Sequence, residues 1–156
     1  MLKRLLASLA VLSAPATMAA PSTVWSVAAG SDNGHQLIVR YLADLPAWVN
    51  RGELPNLVAI SWPFRSSSGM PSRSEKAEMN DFEDSVTSAV EKQRIGILTV
   101  VVTGNGVAEW QFYARSHEDF MRILNQALAG KPRFPVQISL QNDPQWSAYA
   151  KFSKAK

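Results

Sequence analysis

The dipeptide Asn105-Gly106, set between two apolar segments, restricts the possible folds of this 156-residue chain more than any other feature. The segments IGILTVVVT (95–103) and VAEWQFYAR (107–115) are rich in the β-branched and aromatic residues that strands favour. Asparagine and glycine both tolerate positive φ, which a two-residue hairpin turn requires. The sequence therefore predicts an antiparallel β-hairpin over residues 95–115.

Capped amphipathic helices are predicted on both sides of this hairpin. Ser72 and Glu75 form an S-x-x-E capping box, and apolar residues then recur at helical spacing to about Gln93. Ser116 and Asp119 can cap a second helix in the same way, and a glycine with a nearby proline ends it. Each helix has a single apolar stripe, so both are expected to pack on a sheet.

Two more predicted strands complete the pattern, NLVAISWPF (56–64) before the first helix and FPVQISLQ (134–141) after the second. From residue 56 the order is thus strand, helix, strand, strand, helix, strand. Two right-handed crossover units joined by a hairpin give an antiparallel four-stranded sheet with both helices on one face. TVWSVAA (23–29) and QLIVRYLA (36–43) predict an additional N-terminal β-hairpin, whose docking position the sequence leaves open. The expected class is α+β with a ferredoxin-like βαββαβ arrangement.

Pairing across the Asn-Gly turn divides the side chains of the central hairpin between two faces. Trp110 and Phe112 are predicted to lie beneath the helices. Contiguous exposed apolar patches are usually covered or used as interfaces. The favoured interpretation is that the N-terminal hairpin, Trp25 or Trp48 covers the opposite face, and the alternative is that a homodimer or partner protein docks there. That candidate interaction face comprises Leu98, Val100, Val102, Glu109, Gln111, Tyr113 and Arg115.

RNA-recognition domains share this strand order but display two or three exposed aromatics within a glycine-rich, basic signature. In this chain the segment 107–115 contains no glycine, and its exposed face carries one aromatic, Tyr113, together with Glu109. Nucleic acid is therefore not an expected partner.

The N-terminal segment MLKRLLASLAVLSAPATMAAPS has a basic start, a short apolar run and small residues in the order of a secretory signal peptide. The apolar run is shorter than the about 20 residues that span a bilayer. Cleavage after Ala19 is expected to separate a signal peptide (1–19) from a single periplasmic or secreted domain (20–156). Removing Lys3 and Arg4 from the 16 basic residues leaves 14 against 13 acidic ones, so the mature form is expected to bind neither nucleic acid nor membrane.

Catalytic and metal-binding motifs are scarce. The chain has no cysteine, which excludes disulfides, thiolate metal sites and thiol catalysis. His117 with Glu118 and Asp119 could bind a metal or move protons, and Glu78 with Asp81 could pair on a hard cation. Acidic residues in a first helical turn and on a solvated helix face are the more common explanations. We therefore assign no catalytic, cofactor-binding or metal-binding residue and expect no cofactor.

Trp146 and Tyr149 lie three residues apart in a predicted helical turn that Asp143-Pro144 would begin. The favoured interpretation is that they anchor the C-terminus to the sheet. The alternative is an aromatic-lined pocket for a small apolar ligand, to which Trp62 or Trp25 would contribute. The candidate polar contacts of such a ligand are Arg40, Arg65 and Arg115.

Several short segments, in order along the chain, together carry a family resemblance. They are Trp25-x-Val27, ISWPF (60–64), Gly69-Met70-Pro71, Glu83-Asp84, FYA (112–114) and Asp143-Pro144-x-Trp146-x-x-Tyr149. Over nearly all of the mature domain, the chain resembles the family catalogued as domain of unknown function 695. That family is similar in its implied ferredoxin-like fold to the regulator of ribonuclease activity B, a protein inhibitor of an RNA-degrading enzyme. The resemblance implies a fold, and it implies no reaction, cofactor or catalytic residue.

Two functions stay open at the level of the sequence. The favoured one is an exported, soluble, non-catalytic module for protein interaction or regulation, with an envelope protein or a second copy as its partner. Its contacts would use the open sheet face or the 65–72 loop. The alternative is a small-ligand-binding protein or weak hydrolase with an aromatic pocket near Trp146 and His117.

Overall fold

The computed structural model describes residues 23–153, so the predicted signal peptide, its cleavage after Ala19 and the last three residues lie outside the described part. The described elements are β1 (Trp25–Asp32), β2 (His35–Leu42), a short 3-10 helix (Arg51–Glu53), β3 (Asn56–Pro63), α1 (Arg73–Lys92), β4 (Gly96–Gly104), β5 (Val107–Ala114), α2 (His117–Leu128), β6 (Gln137–Asn142) and α3 (Ser147–Ser153). No helix between residues 23 and 153 combines the length and apolarity that crossing a membrane requires.

One six-stranded antiparallel sheet organises these elements, with the strand order β1-β2-β4-β5-β3-β6. The four strands from β3 onward give the order β6-β3-β5-β4, which confirms the predicted ferredoxin-like α+β arrangement. The N-terminal hairpin extends this sheet in its own plane, because β2 pairs antiparallel with β4. The hairpin therefore does not lie over either face of the sheet.

Helices α1 and α2 pack on one side of the sheet, which we call the helix face. The predicted capping box at the start of α1 is present: the Glu75 N–H donates to Ser72 Oγ at 3.3 Å, and the Ser72 N–H donates to the Glu75 carboxylate at 2.8 Å. At the start of α2 the Asp119 N–H donates to Ser116 Oγ at 3.1 Å. The two helices bury Met79, Phe82, Val86, Val90, Phe120, Ile123 and Leu124 against the sheet.

The central hairpin has the predicted turn, with positive φ at Asn105 and Gly106. A β-bulge interrupts its register between Leu98 and Val100. The extra residue is Thr99, whose hydroxyl donates to the Gln111 carbonyl at 2.9 Å. A bulge places two residues of one strand opposite one residue of its partner, so side chains beyond it change face.

The bulge corrects the predicted position of Leu98. Leu98 pairs with Phe112, and it belongs to the core beneath the helices. Ile97 instead pairs with Tyr113 and takes the place on the opposite face. The prediction that Leu98 lies on the opposite face is therefore wrong.

The opposite side of the sheet, which we call the reverse face, is covered by a second core. Segment 43–55 and α3 lie over it, with Trp25 and Trp48 at its margin. The interpretation that this face is covered is thus confirmed, although the N-terminal hairpin is not what covers it. The buried members of this reverse-face core are Leu42, Leu54, Leu57, Ile97, Val100, Tyr113, Trp146 and Tyr149.

The seam between β2 and β4 depends on a glycine. Gly104 has φ of +147°, and a Cβ atom there would overlap the carbonyl oxygen of Gln36 and crowd Leu37. Only glycine adopts this backbone conformation without strain. The two strands can therefore approach this closely because residue 104 has no side chain.

Candidate functional site

The C-terminal segment is fixed to the reverse face by Asp143. Its carboxylate accepts hydrogen bonds from the N–H groups of Ser147 and Ala148, at 2.9 and 3.0 Å, and so caps α3. It also accepts a hydrogen bond from the Tyr113 hydroxyl, with the two oxygens 2.5 Å apart. Asp143 thus joins the last helix to the central strand β5.

Trp146 and Tyr149 complete this attachment, and with Asp143 we call them the C-terminal anchor. The Trp146 ring stacks on Tyr113, with centroids 4.0 Å apart and planes 8° from parallel. Its indole N–H donates to the Leu54 carbonyl at 2.9 Å. The Tyr149 hydroxyl donates to the Leu42 carbonyl at 2.7 Å. The interpretation that both aromatics anchor the C-terminus is confirmed.

The aromatic pocket that was the alternative is not formed. Trp62 belongs to the core beneath the helices, whereas Trp146 and Tyr149 lie in the reverse-face core. The sheet separates the two groups, and Trp146 is fully buried. His117 lies elsewhere, with Nε2 3.1 Å from the Gln141 carbonyl oxygen. The structure therefore does not bring His117 together with Trp146.

Asp119, beside His117, and Asp81, on α1, each bind a basic side chain. The Asp119 carboxylate accepts from Arg122 at 2.9 Å and from the Ser116 hydroxyl at 3.1 Å. Asp81 forms an ion pair with Lys131 at 2.9 Å. Within residues 23–153 no three histidine or acidic side chains are grouped so that they could hold a metal ion.

The candidate interaction face is not the exposed patch that the sequence suggested. Val100 and Tyr113 are fully buried beneath the C-terminal anchor, and Leu98 lies on the helix face. Arg115 is exposed and lies 3.7 Å from Glu53. The remaining three residues, Val102, Glu109 and Gln111, are half-buried.

Titration of Asp143 reflects its role in the anchor. Burial raises its pKa, but the N–H of Ala148, the hydroxyl of Tyr113 and the N–H of Ser147 outweigh burial and hold the pKa below the ordinary value. Burial and the bond to Asp143 raise the pKa of the Tyr113 hydroxyl. Asp143 is therefore a carboxylate that accepts a hydrogen bond from the neutral Tyr113 hydroxyl.

The lowered pKa of Asp143 predicts an acid-dependent loss of stability. A carboxyl group whose pKa is lower in the folded state stabilises the fold above its unfolded pKa, about 3.9, and loses that contribution as the pH falls through the folded pKa. We expect the free energy of unfolding of Asp143→Asn to decline less steeply below about pH 4 than that of the wild type. Urea unfolding at a series of pH values measures this difference. Asp84→Asn, which changes an exposed aspartate on α1, is the control, and equal slopes for the two variants would contradict the assignment.

On the helix face, an ion pair joins the N-terminal hairpin to α1. Nη2 of Arg40 lies 2.8 and 2.6 Å from the two carboxylate oxygens of Glu83. The indole N–H of Trp110 donates to the same carboxylate at 2.8 Å. The Arg40 guanidinium also lies over the Trp25 ring, 5.6 Å from its centroid. The three segments that meet here lie far apart in sequence, and the Trp25-x-Val27 and Glu83-Asp84 segments of the family resemblance each marked a part of the place.

A cleft of about 130 Å³ lies beside this ion pair. Strands β2 and β4 form its floor, and the residues before and within the first turn of α1 form its wall. The three candidate arginines do not converge on it, because Arg115 pairs with Glu53 and only Arg40 reaches the cleft. The cleft is lined by Ile38, Arg40, Met70, Pro71, Lys76, Val101 and Thr103.

Strand β1 is the second unassigned surface. Among the strands between residues 23 and 153, it forms an edge of the sheet and pairs with β2 alone. Its residues from Val27 to Asp32 are all exposed, and the Val27 side chain is 68% exposed. The sequence could not single out β1 because an edge strand is defined by the order of the sheet.

These features define a class of protein: an α+β domain with a ferredoxin-like sheet, extended by an N-terminal hairpin and closed on its reverse face by a C-terminal anchor. The chain belongs to the Family of unknown function (DUF695), whose model matches residues 23–153. No curated protein matches it.

Proposed function

We propose that this protein is a non-catalytic interaction module that binds an extended segment of a partner protein by adding a strand to β1. The observation that carries the proposal is the unprotected state of this edge. Natural edge strands are usually blocked by lysine, proline, bulges or short length. β1 is eight residues long, WSVAAGSD, and has neither lysine nor proline.

The alternation of hydrogen-bonded pairs along the N-terminal hairpin identifies which main-chain groups of β1 would meet the partner. Ala43 N–H donates to the Val24 carbonyl at 2.9 Å, so residue 24 belongs to a hydrogen-bonded pair. Hydrogen-bonded and non-hydrogen-bonded pairs alternate along an antiparallel ladder. The even-numbered residues of β1 therefore bond to β2, and the outward main-chain groups belong to Trp25, Val27, Ala29 and Ser31.

The opposite edge of the sheet is less suited to strand addition. β6 has six residues, and Pro135 stands two residues before it. On β1, main-chain groups can supply affinity, while alternate side chains such as the exposed Val27 can supply specificity. The predicted signal peptide supports an exported location, so an envelope protein is the expected partner.

The test uses peptides selected for binding to the whole chain from a random peptide library. Ala29→Pro removes an outward N–H without touching the β1–β2 ladder, a position at which edge strands tolerate proline. We expect it to weaken peptide binding at least about tenfold, which corresponds to about 1.4 kcal/mol. Ala29→Val keeps the N–H and should bind like the wild type.

Amide exchange locates the bound segment independently of affinity. In the complex the N–H groups of Val27, Ala29 and Ser31 should exchange more slowly than in the free protein. Equal binding by Ala29→Pro, or unchanged exchange at these three amides, would overturn the proposal. If light scattering shows a dimer with the same amides protected, the added strand comes from a second copy.

Export is tested separately, by cell fractionation and by the mass of the mature N-terminus.

A further inference from the structure

We propose that the cleft beside Arg40 is a binding site for a small organic carboxylate with an aliphatic tail. This inference goes beyond the proposed function, because the cleft lies at the seam of β2, β4 and α1 and uses none of the outward amides of β1. The cleft is lined by two basic residues and by apolar walls.

Arg40 is held in a fixed position for such a ligand. Glu83 accepts through both oxygens from Nη2 of Arg40 and through one from Trp110, while the Trp25 ring lies beneath the guanidinium. A guanidinium has five N–H donors in a rigid fork. Within residues 23–153 the hydrogen bonds of the Arg40 guanidinium go to Glu83 and involve Nη2 alone, so its other N–H groups can meet a carboxylate. Glu83 already accepts hydrogen bonds from Arg40 and Trp110, so both of its carboxylate oxygens are engaged.

Lys76 supplies the second cation. It lies on α1 seven residues before Glu83, so the two are about 10 Å apart along the helix axis. In the chain from residue 23 to 153, no carboxylate lies within 4.0 Å of the Lys76 ammonium. Its neighbour Glu75 is engaged in the cap with Ser72. The cleft therefore carries two positive charges against one carboxylate that is already paired.

The helix N-terminus is not the binding group. The Glu75 N–H is bonded to Ser72 Oγ, and the Ser72 N–H is bonded to the Glu75 carboxylate. Recognition would come from the two cations and from the Thr103 hydroxyl, whose residue lines the cleft. The capping box instead fixes the first turn of α1, and with it the position of Lys76.

The walls and the size of the cleft determine the rest of the ligand. Ile38, Met70 and Val101 line it with apolar surface. A cavity of about 150 Å³ accommodates benzene, so the 130 Å³ of this cleft suit a ligand of about six heavy atoms. A carboxylate with a short aliphatic chain fills both the charged and the apolar parts. A free short-chain acid and the C-terminal residue of a peptide share this chemistry.

The test is a titration of the whole chain with sodium butyrate at constant ionic strength, followed by two-dimensional NMR. We expect saturable shifts at Ile38, Val101 and Thr103 and at the indole N–H of Trp25. Lys76→Gln should bind butyrate at least about fivefold more weakly, which corresponds to about 1 kcal/mol. Lys92→Gln, which changes an exposed lysine at the far end of the same helix, should bind like the wild type.

Related probes distinguish the alternatives. Butyramide, which lacks the charge, should not shift the cleft signals. Tighter binding of N-acetylvaline than of butyrate would identify a peptide C-terminus as the source of the carboxylate, and the reverse order a free acid. Failure of butyrate to saturate, equal binding by Lys76→Gln and wild type, or equal shifts with inorganic phosphate would overturn the proposal. None of these outcomes bears on strand addition at β1, which the Ala29 variants test alone.

Discussion

Replacing Trp146 with alanine is expected to lower the free energy of unfolding by about 3–5 kcal/mol, the range for truncating a large buried aromatic side chain. Trp146 is fully buried in the reverse-face core and stacks on Tyr113. Its indole N–H also satisfies the Leu54 carbonyl and contacts the Arg51 carbonyl at 3.2 Å. The substitution therefore creates a cavity and removes a buried hydrogen-bond donor at the same time.

Urea unfolding followed by far-ultraviolet circular dichroism measures this loss, because the signal does not depend on the removed fluorophore. Trp48→Ala is the matched control, since Trp48 is half-buried at the margin of the same core. Its loss of stability should be clearly smaller. If the two variants unfold at the same urea concentration, Trp146 does not have the central role in the anchor that we describe.

Replacing Gly104 with alanine is expected to cost about 3 kcal/mol or more, because strain and overlap act together at this position. Alanine does not readily adopt φ of +147°, and its Cβ would overlap the Gln36 carbonyl. Strand β2 must then move away from β4. The N–H groups of β2 that bond to β4 should exchange faster even where the rest of the sheet stays folded.

Gly30→Ala is the control for this substitution. Gly30 lies on the exposed strand β1, and a Cβ atom there would meet no atom within 4 Å. Its effect should stay within about 0.5 kcal/mol, as for surface substitutions in general. Hydrogen exchange and urea unfolding of both variants give the comparison. A Gly104→Ala protein as stable as Gly30→Ala would contradict the close approach of the two strands.

Most of the fold could be predicted because its signals are local. The Asn105-Gly106 turn and the capping residues at Ser72 and Ser116 each fix the start or end of an element within four residues. The Trp146 and Tyr149 spacing likewise indicated that the C-terminus is anchored to the sheet.

The bulge at Thr99 escaped prediction for a physical reason. Ile97 and Leu98 are both apolar, so either one can face either core, and the alternation of the strand does not report which. Both sides of the sheet are buried at this point. An apolar run then specifies its register weakly, and the extra residue is visible only in the pairing.

The two candidate sites depend on sheet order and are therefore absent from local patterns. Arg40 and Glu83 lie 43 residues apart, and they meet because β2 joins the sheet at β4. The same docking leaves β1 at the edge. The sequence predicted the hairpin and left its position open, so it could predict neither the cleft nor the exposed edge.

The C-terminal anchor also sets the order in which the molecule can mature. Tyr149 bonds to the Leu42 carbonyl across 107 residues, and Trp146 bonds to Leu54 across 92. A chain that emerges from the ribosome N-terminus first cannot close its reverse face until residues 143–153 have been made. Any shorter product exposes Tyr113 and Val100, and such apolar surface is what chaperones and proteases of cellular quality control bind. The last helix described, Ser147–Ser153, thus completes the burial of the reverse face.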